Sequence, residues 1–237
     1  TALHRYVSDQ ARRQLVPGLE KLAAEQMTQS ADVNLRIVWL RALQELAETP
    51  LGLGQLKNLL NGRLWVPGVE LRALDRWNLV TTLVALGDPE AAGYFNEERQ
   101  RDPSGDGIKY AYAAAAAHPD ADTKARFFED YLRTDSHPED WIEQSLYPFN
   151  SWNQSELTAM YLKQALDALP QIKTDRKIFF LQNWLDAFIY GQQSPAARDE
   201  VHRYLTKAEI DKDLRLKILE TVDELDRTVA IRRRFPN

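Results

Sequence analysis

The sequence predicts an all-α fold, and three observations carry that prediction. Apolar residues recur at helical spacing in about eleven segments of the chain. Only one stretch, 63–75, has strand-like content, and an isolated strand has nothing to pair with, so we predict a connector there. Third, an Asp near a helix start is repeatedly followed by a basic residue; these basic residues are Arg36, Arg76, Lys124, Arg176 and Arg215.

The spacing of these basic residues indicates how the helices are arranged. Positions 36, 76, 124, 176 and 215 differ by 40, 48, 52 and 39, which suits one helix pair per unit. We therefore predict an irregular HEAT-like α-solenoid, a superhelical bowl of antiparallel helix pairs. The simpler alternative is that Asp is a good N-cap and Arg a good helix former, which gives part of the pattern by chance. Residues 1–237 are predicted as a single domain, with a candidate sub-boundary in the polar segment 102–107.

Caps and prolines bound the helices predicted in the first half. The first runs from about residue 8 to 27, with Leu15, Leu19 and Leu22 on one face, and Pro17 kinks or splits it. The remaining helices of this half are predicted from 30–32 to 49–50, over 53–60, over 75–87, from 88–89 onward, in the alanine-rich segment 110–120, and from 120–122 onward.

The stretch 139–191 is strongly apolar and is predicted as the middle of the helical stack. One helix runs from about 154 to 169 and stops at Pro170, and the next opens at 174–175. The second carries Ile178 and Phe179 on an apolar stripe wide enough to be covered on two sides. Trp152 lies in the loop between helices. The last two helices are predicted over 194–205 and 211–234.

Composition limits the classes of protein to which this chain can belong. With 30 Lys and Arg against 35 Asp and Glu, the net charge is −5, so no positive field gathers nucleic acid. The chain has no cysteine, which excludes disulfides and thiolate zinc sites. No apolar run approaches the ~20 residues of a membrane helix, and the N-terminus has no signal-peptide pattern. We expect a soluble cytoplasmic protein and, because the chain begins with Thr1, a fragment of a longer one.

No catalytic motif is present. The four histidines, His4, His118, His137 and His202, are never one helical turn apart, so the HExxH pattern of a zinc peptidase is missing. Phosphate-binding glycine loops and the GxSxG elbow are also missing. Acid pairs such as Glu97-Glu98 fit a solvated helix face better than a general acid and base. We therefore predict no catalytic and no metal-ligating residue in this chain.

Two segments carry a resemblance to a known family. Residues 145–192 read SLYPFNSWNQSELTAMYLKQALDALPQIKTDRKIFFLQNWLDAFIYGQ, and residues 211–235 read DKDLRLKILETVDELDRTVAIRRRF. Together they resemble the end of the C-terminal helical, ERAP-type domain of the aminopeptidase N family of zinc metallopeptidases. Looser matches in the same order extend the resemblance over the whole chain.

The resemblance implies a helical bowl set over the zinc site of a preceding catalytic domain. It implies an accessory domain of a zinc aminopeptidase, noncatalytic in isolation, which caps the active-site cavity and shapes peptide access. The partners are then the catalytic domain of the same polypeptide and peptide substrates, and zinc belongs to that catalytic domain. No catalytic residue can be carried over, because the family's HExxH segment has no counterpart here.

Polar residues of the central stretch are the candidates for peptide contact. Capping or ion pairing is the simpler role for each one singly. Two other functions remain open: a free-standing HEAT-like scaffold for a protein partner, and an unrecognised hydrolase. The candidate residues are Asn150, Trp152, Asn153, Gln154, Arg176 and Lys177.

Overall fold

The computed structural model describes residues 2–207 and 209–236. Short turns connect most helices of the first half of this described part, and a longer connector, 61–72, joins the fourth to the fifth. These helices are α1 (Ala2–Tyr6), α2 (Asp9–Gln29), α3 (Val33–Leu46), α4 (Pro50–Leu60), α5 (Ala73–Ala85), α6 (Ala91–Arg101) and α7 (Gly105–Ala116).

The second half contains shorter and less regular helices. They are α8 (Ala121–Leu132), α9 (Glu139–Phe149), α10 (Ser155–Thr158), α11 (Leu162–Asp167), α12 (Leu169–Asp175), α13 (Ile178–Leu185), α14 (Pro195–Leu205) and α15 (Lys212–Arg234). Two 3-10 turns, Trp152–Gln154 and Ala159–Tyr161, and a π-helix, Asp186–Tyr190, lie between them. The described residues form no strand, so the prediction of an all-α fold is confirmed. None of their helices is long and apolar enough to cross a bilayer.

Short polar side chains at the N-caps explain many of the helix starts. Each accepts a hydrogen bond from a backbone N–H of the first turn, which has no partner inside the helix. These N-caps are Ser8, Asp32, Thr49, Ser104, Asp120, Ser194 and Asp211.

Three predicted helix boundaries in the central stretch are wrong. The predicted helix over 154–169 is instead broken into α10, a 3-10 turn and α11. Pro170 does not stop a helix but lies in the first turn of α12, where its missing N–H costs nothing. The next helix, α13, begins at Ile178 rather than at 174–175. In the first half, α2 is continuous through Pro17, and α4 begins at Pro50, earlier than predicted, because Thr49 caps it.

The predicted apolar faces are partly wrong as well. In α2, Leu15 and Leu22 are 50% and 41% exposed, whereas Val16, Ala23 and Met27 are fully buried. The buried face is therefore displaced by one position, and the small side chain of Ala23 lets α3 approach closely. At the start of α13, Ile178 and Phe179 are also exposed, at 64% and 77%, so its apolar stripe is covered on one side only.

Helices that are distant in the sequence pack against one another. Among them α3, α5, α7, α9, α13 and α15 contact one another in that order, and α2 contacts both α3 and α4. α1 packs on α15, where Arg5 Nε donates to Thr228 Oγ1 at 2.8 Å and the Tyr6 hydroxyl donates to Glu224 at 3.0 Å. The first and last helices of the described chain therefore meet. The HEAT-like bowl stays a prediction.

Two hydrophobic clusters share the interior and meet at α7. The first cluster is built mainly from α2 to α5 and reaches Ala117, and the second runs from Ala116 to α15. Alanine side chains of α7 belong to both clusters: Ala114 lies in the first cluster and Ala116 in the second. The two clusters thus divide just after the candidate sub-boundary at 102–107, and the single-domain assignment stays a prediction.

Candidate functional site

The Trp152 loop, defined as residues 150–154, follows α9 and forms one 3-10 turn before α10. Asn150 caps the end of α9: its backbone N–H and its side-chain Nδ2 both donate to Leu146 O at 3.1 Å. The N–H of Gln154 donates to Ser151 O at 2.8 Å and closes the turn. The loop is therefore fixed to the helix that precedes it.

The amide side chains of the loop cap two further helices. Asn153 Nδ2 and Gln154 Nε2 each donate to Ala85 O at 2.8 Å, and Gln154 Nε2 also donates to Ala117 O at 2.7 Å. Ala85 is the last residue of α5, and Ala117 is the C-cap of α7. The last carbonyls of a helix lack partners inside it and carry partial negative charge. The loop thus supplies donors where two helix ends need them.

A buried lysine acts on the same helix ends. Lys124 of α8 has no exposed surface, and its Nζ donates to Ala116 O at 2.7 Å and to Phe149 O at 2.8 Å. These carbonyls belong to the last turns of α7 and α9. Burial lowers the pKa of Lys124 to about 7. The C-terminal ends of α5, α7 and α9 thus gather around side-chain donors.

The indole of Trp152 is held by two residues from the start of the chain. The ring of His4 stacks on it, with centroids 4.2 Å apart and planes 5° apart. The Arg12 guanidinium lies 4.3 Å from the ring centroid and also pairs with Glu48 at 3.1 Å. Burial, followed by nearby positive charge, lowers the pKa of His4 to about 4, so this imidazole is neutral at pH 7.

Two pockets share His4, Ser151 and Trp152 in their walls. The Asp186 pocket has a volume of about 300 Å³, and the Glu45 pocket has a volume of about 270 Å³. The rest of the Asp186 pocket comes from α1, α9, Asn150, and the π-helix with the residues that follow it. The rest of the Glu45 pocket comes mainly from α3 and α5. Trp152 therefore borders both pockets.

The π-helix shapes the Asp186 pocket. It contributes Asp186 and Tyr190, and α9 contributes Tyr147. Gly191 follows the π-helix; a Cβ there would overlap Ala187 O and lie 3.2 Å from the Cβ of Asn150. The close approach of these segments therefore requires glycine at 191.

The structure brings four of the six predicted contact residues together in the Trp152 loop. Asn150 and Trp152 line the Asp186 pocket, Gln154 is buried, and Asn153 is exposed. Peptide contact by these residues stays a prediction.

The other two candidates lie elsewhere. Arg176 is the C-cap of α12 rather than part of a helix start, and its Nη2 donates to Arg133 O at 2.8 Å. Lys177 is the exposed N-cap of α13. Neither residue lines the Asp186 pocket or the Glu45 pocket, so the structure does not join the two predicted groups in one pocket.

Sequence reasoning missed four residues of this site: His4, Arg5, Tyr147 and Asp186. His4 and Arg5 lie far from the loop in sequence, and nothing in their local pattern pairs them with Trp152. Asp186 lies in an apolar helical segment, and nothing in its local pattern indicates a pocket. The one available signal was Trp152 itself, a large aromatic residue in a polar segment.

The described residues offer no place for a metal ion. Among them, no group of three or more His, Cys, Asp or Glu side chains is arranged to hold one. His118 pairs with Asp120 at 2.7 Å, and His202 pairs with Asp226 at 2.8 Å. The zinc of a metallopeptidase therefore does not fit this part of the chain.

Comparison with known proteins gives the family. The chain is 27% identical over 231 residues to aminopeptidase N of Streptomyces lividans. That alignment covers 96% of this chain but only 27% of the length of the relative. The sequence profile of the ERAP1-like C-terminal domain matches residues 1–227. The resemblance seen in the sequence is confirmed, and the chain belongs to the family of ERAP1-like C-terminal domains.

Proposed function

We propose that this chain is the noncatalytic accessory domain of a zinc aminopeptidase that releases N-terminal residues from peptides. The observation that carries the proposal is the family match over 1–227, together with coverage of only 27% of an aminopeptidase N. In this proposal zinc and the catalytic residues belong to the part of the polypeptide outside this chain. In this proposal the whole enzyme is cytoplasmic.

The proposed role is to cap the active-site cavity and to shape peptide access. The two pockets beside Trp152 support this role, because they are partly enclosed and lined by polar and aromatic groups. Within the loop, Trp152 and Asn153 would touch peptide, while Asn150 and Gln154 hold the loop in place. Arg176 and Lys177 form a second candidate contact region. The bowl predicted from the repeat spacing would face the catalytic domain of the same polypeptide.

The complete native polypeptide that carries this chain tests the proposal. We expect it to release the N-terminal residue from peptides with a free amino terminus and to lose that activity with a zinc chelator. The 237-residue chain alone should show no such activity in the same assay. Blocking the peptide's amino terminus by acetylation is the control, since an aminopeptidase requires the free amine.

Two outcomes would replace the proposal with one of its alternatives. Chelator-resistant cleavage by the 237-residue chain alone would make it a hydrolase in its own right. A native open reading frame with no HExxH segment, and no peptidase activity in its product, would favour a free-standing interaction scaffold.

A further inference from the structure

Two hydrogen-bond donors of the Asp186 pocket, Arg5 and Asn150, are already in use. Arg5 Nε donates to Thr228 Oγ1, and Arg5 Nη2 donates to Tyr190 O, each at 2.8 Å. The Arg5 guanidinium also lies over the Tyr190 ring. Asn150 Nδ2 donates to Leu146 O. These groups are therefore poorly placed to bind an anion.

The acceptors of the same pocket are not used up. Asn150 is 5% exposed, and its Oδ1 has no hydrogen-bond partner among the described residues. A buried acceptor without a donor costs free energy. Asp186 Oδ1 accepts from Gln182 at 3.0 Å, and no donor within the described part of the chain reaches its second oxygen. The pocket thus presents one carboxylate oxygen of Asp186 to whatever enters it, while the Asn150 Oδ1 is covered by the surrounding protein.

The Asp186 carboxylate and the Tyr147 ring also favour a positively charged ligand. Burial raises the pKa of Asp186; the charge of Glu220 also raises it, while Arg5 and Lys217 act against the rise. A bound cation would favour the ionised carboxylate. Tyr147 lines the same pocket as Asp186, and burial, followed by the Asp186 charge, raises the pKa of Tyr147. An aromatic ring next to a carboxylate suits a cation.

We propose that the Asp186 pocket binds a positively charged hydrogen-bond donor, an ammonium or guanidinium group carried by a peptide. The Asp186 carboxylate accepts its hydrogen bonds, and the Tyr147 ring lines the same pocket. A volume of about 300 Å³ suits one amino-acid side chain and is at the small end for ligand pockets. The binding of the cation is independent of the proposed function; only the peptide as its carrier rests on that function.

Titration of the 237-residue chain with blocked amino acids tests this site. The first probe is Nα-acetyl-arginine amide, the second is Nα-acetyl-lysine amide, and the matched neutral probe is Nα-acetyl-citrulline amide. Alanine amide, whose only cation is its α-ammonium, separates a peptide N-terminus from a basic side chain as the source. We expect at least one cationic probe to bind at least tenfold more tightly than citrulline, by calorimetry or by NMR shifts of residues 147–152.

Two variants locate the binding. Asp186→Asn removes the charge but keeps the acceptor for Gln182, and it should weaken cation binding at least tenfold. Asp175→Asn is the matched control, because it removes the same charge from an exposed position at the end of α12, outside the pocket. Tyr147→Ala changes a side chain that is 52% exposed, tests the ring without risk to the core, and should weaken binding about threefold.

Equal binding of arginine and citrulline probes would overturn the proposal, and so would a D186N chain that binds the cation as well as its parent. Equal losses in D186N and D175N would also overturn it, because general charge attraction would then explain the binding. These results do not depend on peptidase activity. A chain that binds cations but belongs to an inactive polypeptide would refute the proposed function and leave the site in place.

Discussion

Two junctions between helices supply hydrogen-bond partners to helix ends, one with acceptors and the other with donors. At the junction of α2, α3 and α4, the carboxylate of Glu20 accepts from the N–H groups of Glu48 and Thr49 at 2.8 and 2.9 Å, and from the Thr49 hydroxyl. This places a negative charge at the start of α4, where the helix dipole favours it. At the Trp152 loop, amide and ammonium donors meet the C-terminal ends of α5, α7 and α9.

The difference lies in what remains after the helix ends are satisfied. A carboxylate brings acceptors only, and both oxygens of Glu20 are used. A side-chain amide carries both a hydrogen-bond donor and an acceptor. When its N–H group caps a helix carbonyl, the oxygen of the amide itself still needs a donor. Asn150 Oδ1 and Gln154 Oε1 are both buried without a partner among the described residues. The first junction therefore has its hydrogen-bonding groups matched, whereas the second keeps two buried amide oxygens unmatched among the described residues.

The largest expected effect of a substitution belongs to the first junction. Glu20→Ala leaves two backbone N–H groups without their acceptor next to a buried helix start. We expect it to lower the free energy of unfolding by about 3 kcal/mol in urea titrations. Glu25→Ala, at an exposed position of the same helix, is the control and should change stability by less than about 0.5 kcal/mol. A loss below about 1 kcal/mol for E20A would mean that those N–H groups find other partners.

A smaller loss is expected at the Trp152 loop. Gln154→Leu keeps the volume but removes the donor shared by Ala85 O and Ala117 O. Because the unpaired oxygen of Gln154 disappears with it, the expected loss is about 2 kcal/mol rather than more. Gln14→Leu on the exposed face of α2 is the matched control. If Q154L proved as stable as its parent, the amide would not be the cap that holds the loop to these helices.

Because Lys124 is buried, we expect the free energy of unfolding to depend on pH. Burial lowers the folded-state pKa of Lys124 to about 7, below the usual lysine pKa of 10.5. Between these values the unfolded chain holds a proton that the folded chain has lost, so the free energy of unfolding rises with pH. Relative to Lys124→Met, the parent should gain on the order of 1 kcal/mol per pH unit near pH 8. Parallel stability curves for the two chains between pH 7 and 9 would contradict this assignment.

The smallest effect on stability is expected in the pocket itself. The raised pKa of Asp186 means that ionisation of this group opposes folding, so the penalty is present at pH 7 and disappears at low pH. Asp186→Asn removes that penalty and should melt at pH 7 at a temperature no lower than the parent. A drop of more than about 2 °C in Tm would show that the charge stabilises the fold instead of being kept for a ligand.

The comparison also shows what the sequence can predict. Local caps such as Ser8, Asp32 and Asp120 are readable because the residue and its partner lie within three positions. This is why the all-α fold and most helix starts of the first half follow from the pattern. The family resemblance was readable for a different reason, since long matching segments identify a family without any structural reasoning.

Pairings between residues that are far apart in the sequence cannot be predicted from local patterns. Glu98 was expected on a solvated face, but it is 2% exposed and pairs with Arg76 at 2.7 Å. Lys124 looked like a helix-start cation and is completely buried, because its partners come from two other helices. The broken helices between 150 and 191 were missed for the same reason. Their irregular turns follow from tertiary contacts of the Trp152 loop and the π-helix, which no local pattern records.

The central claim is that the Trp152 loop is where this domain meets peptide. Its most direct test is the dependence on substrate length in the complete native polypeptide carrying Trp152→Ala. We expect kcat/KM for a peptide of about ten residues to fall about tenfold, while kcat/KM for a single-residue chromogenic substrate stays unchanged. Unchanged values for both substrates, or an equal fall for both, would contradict the claim.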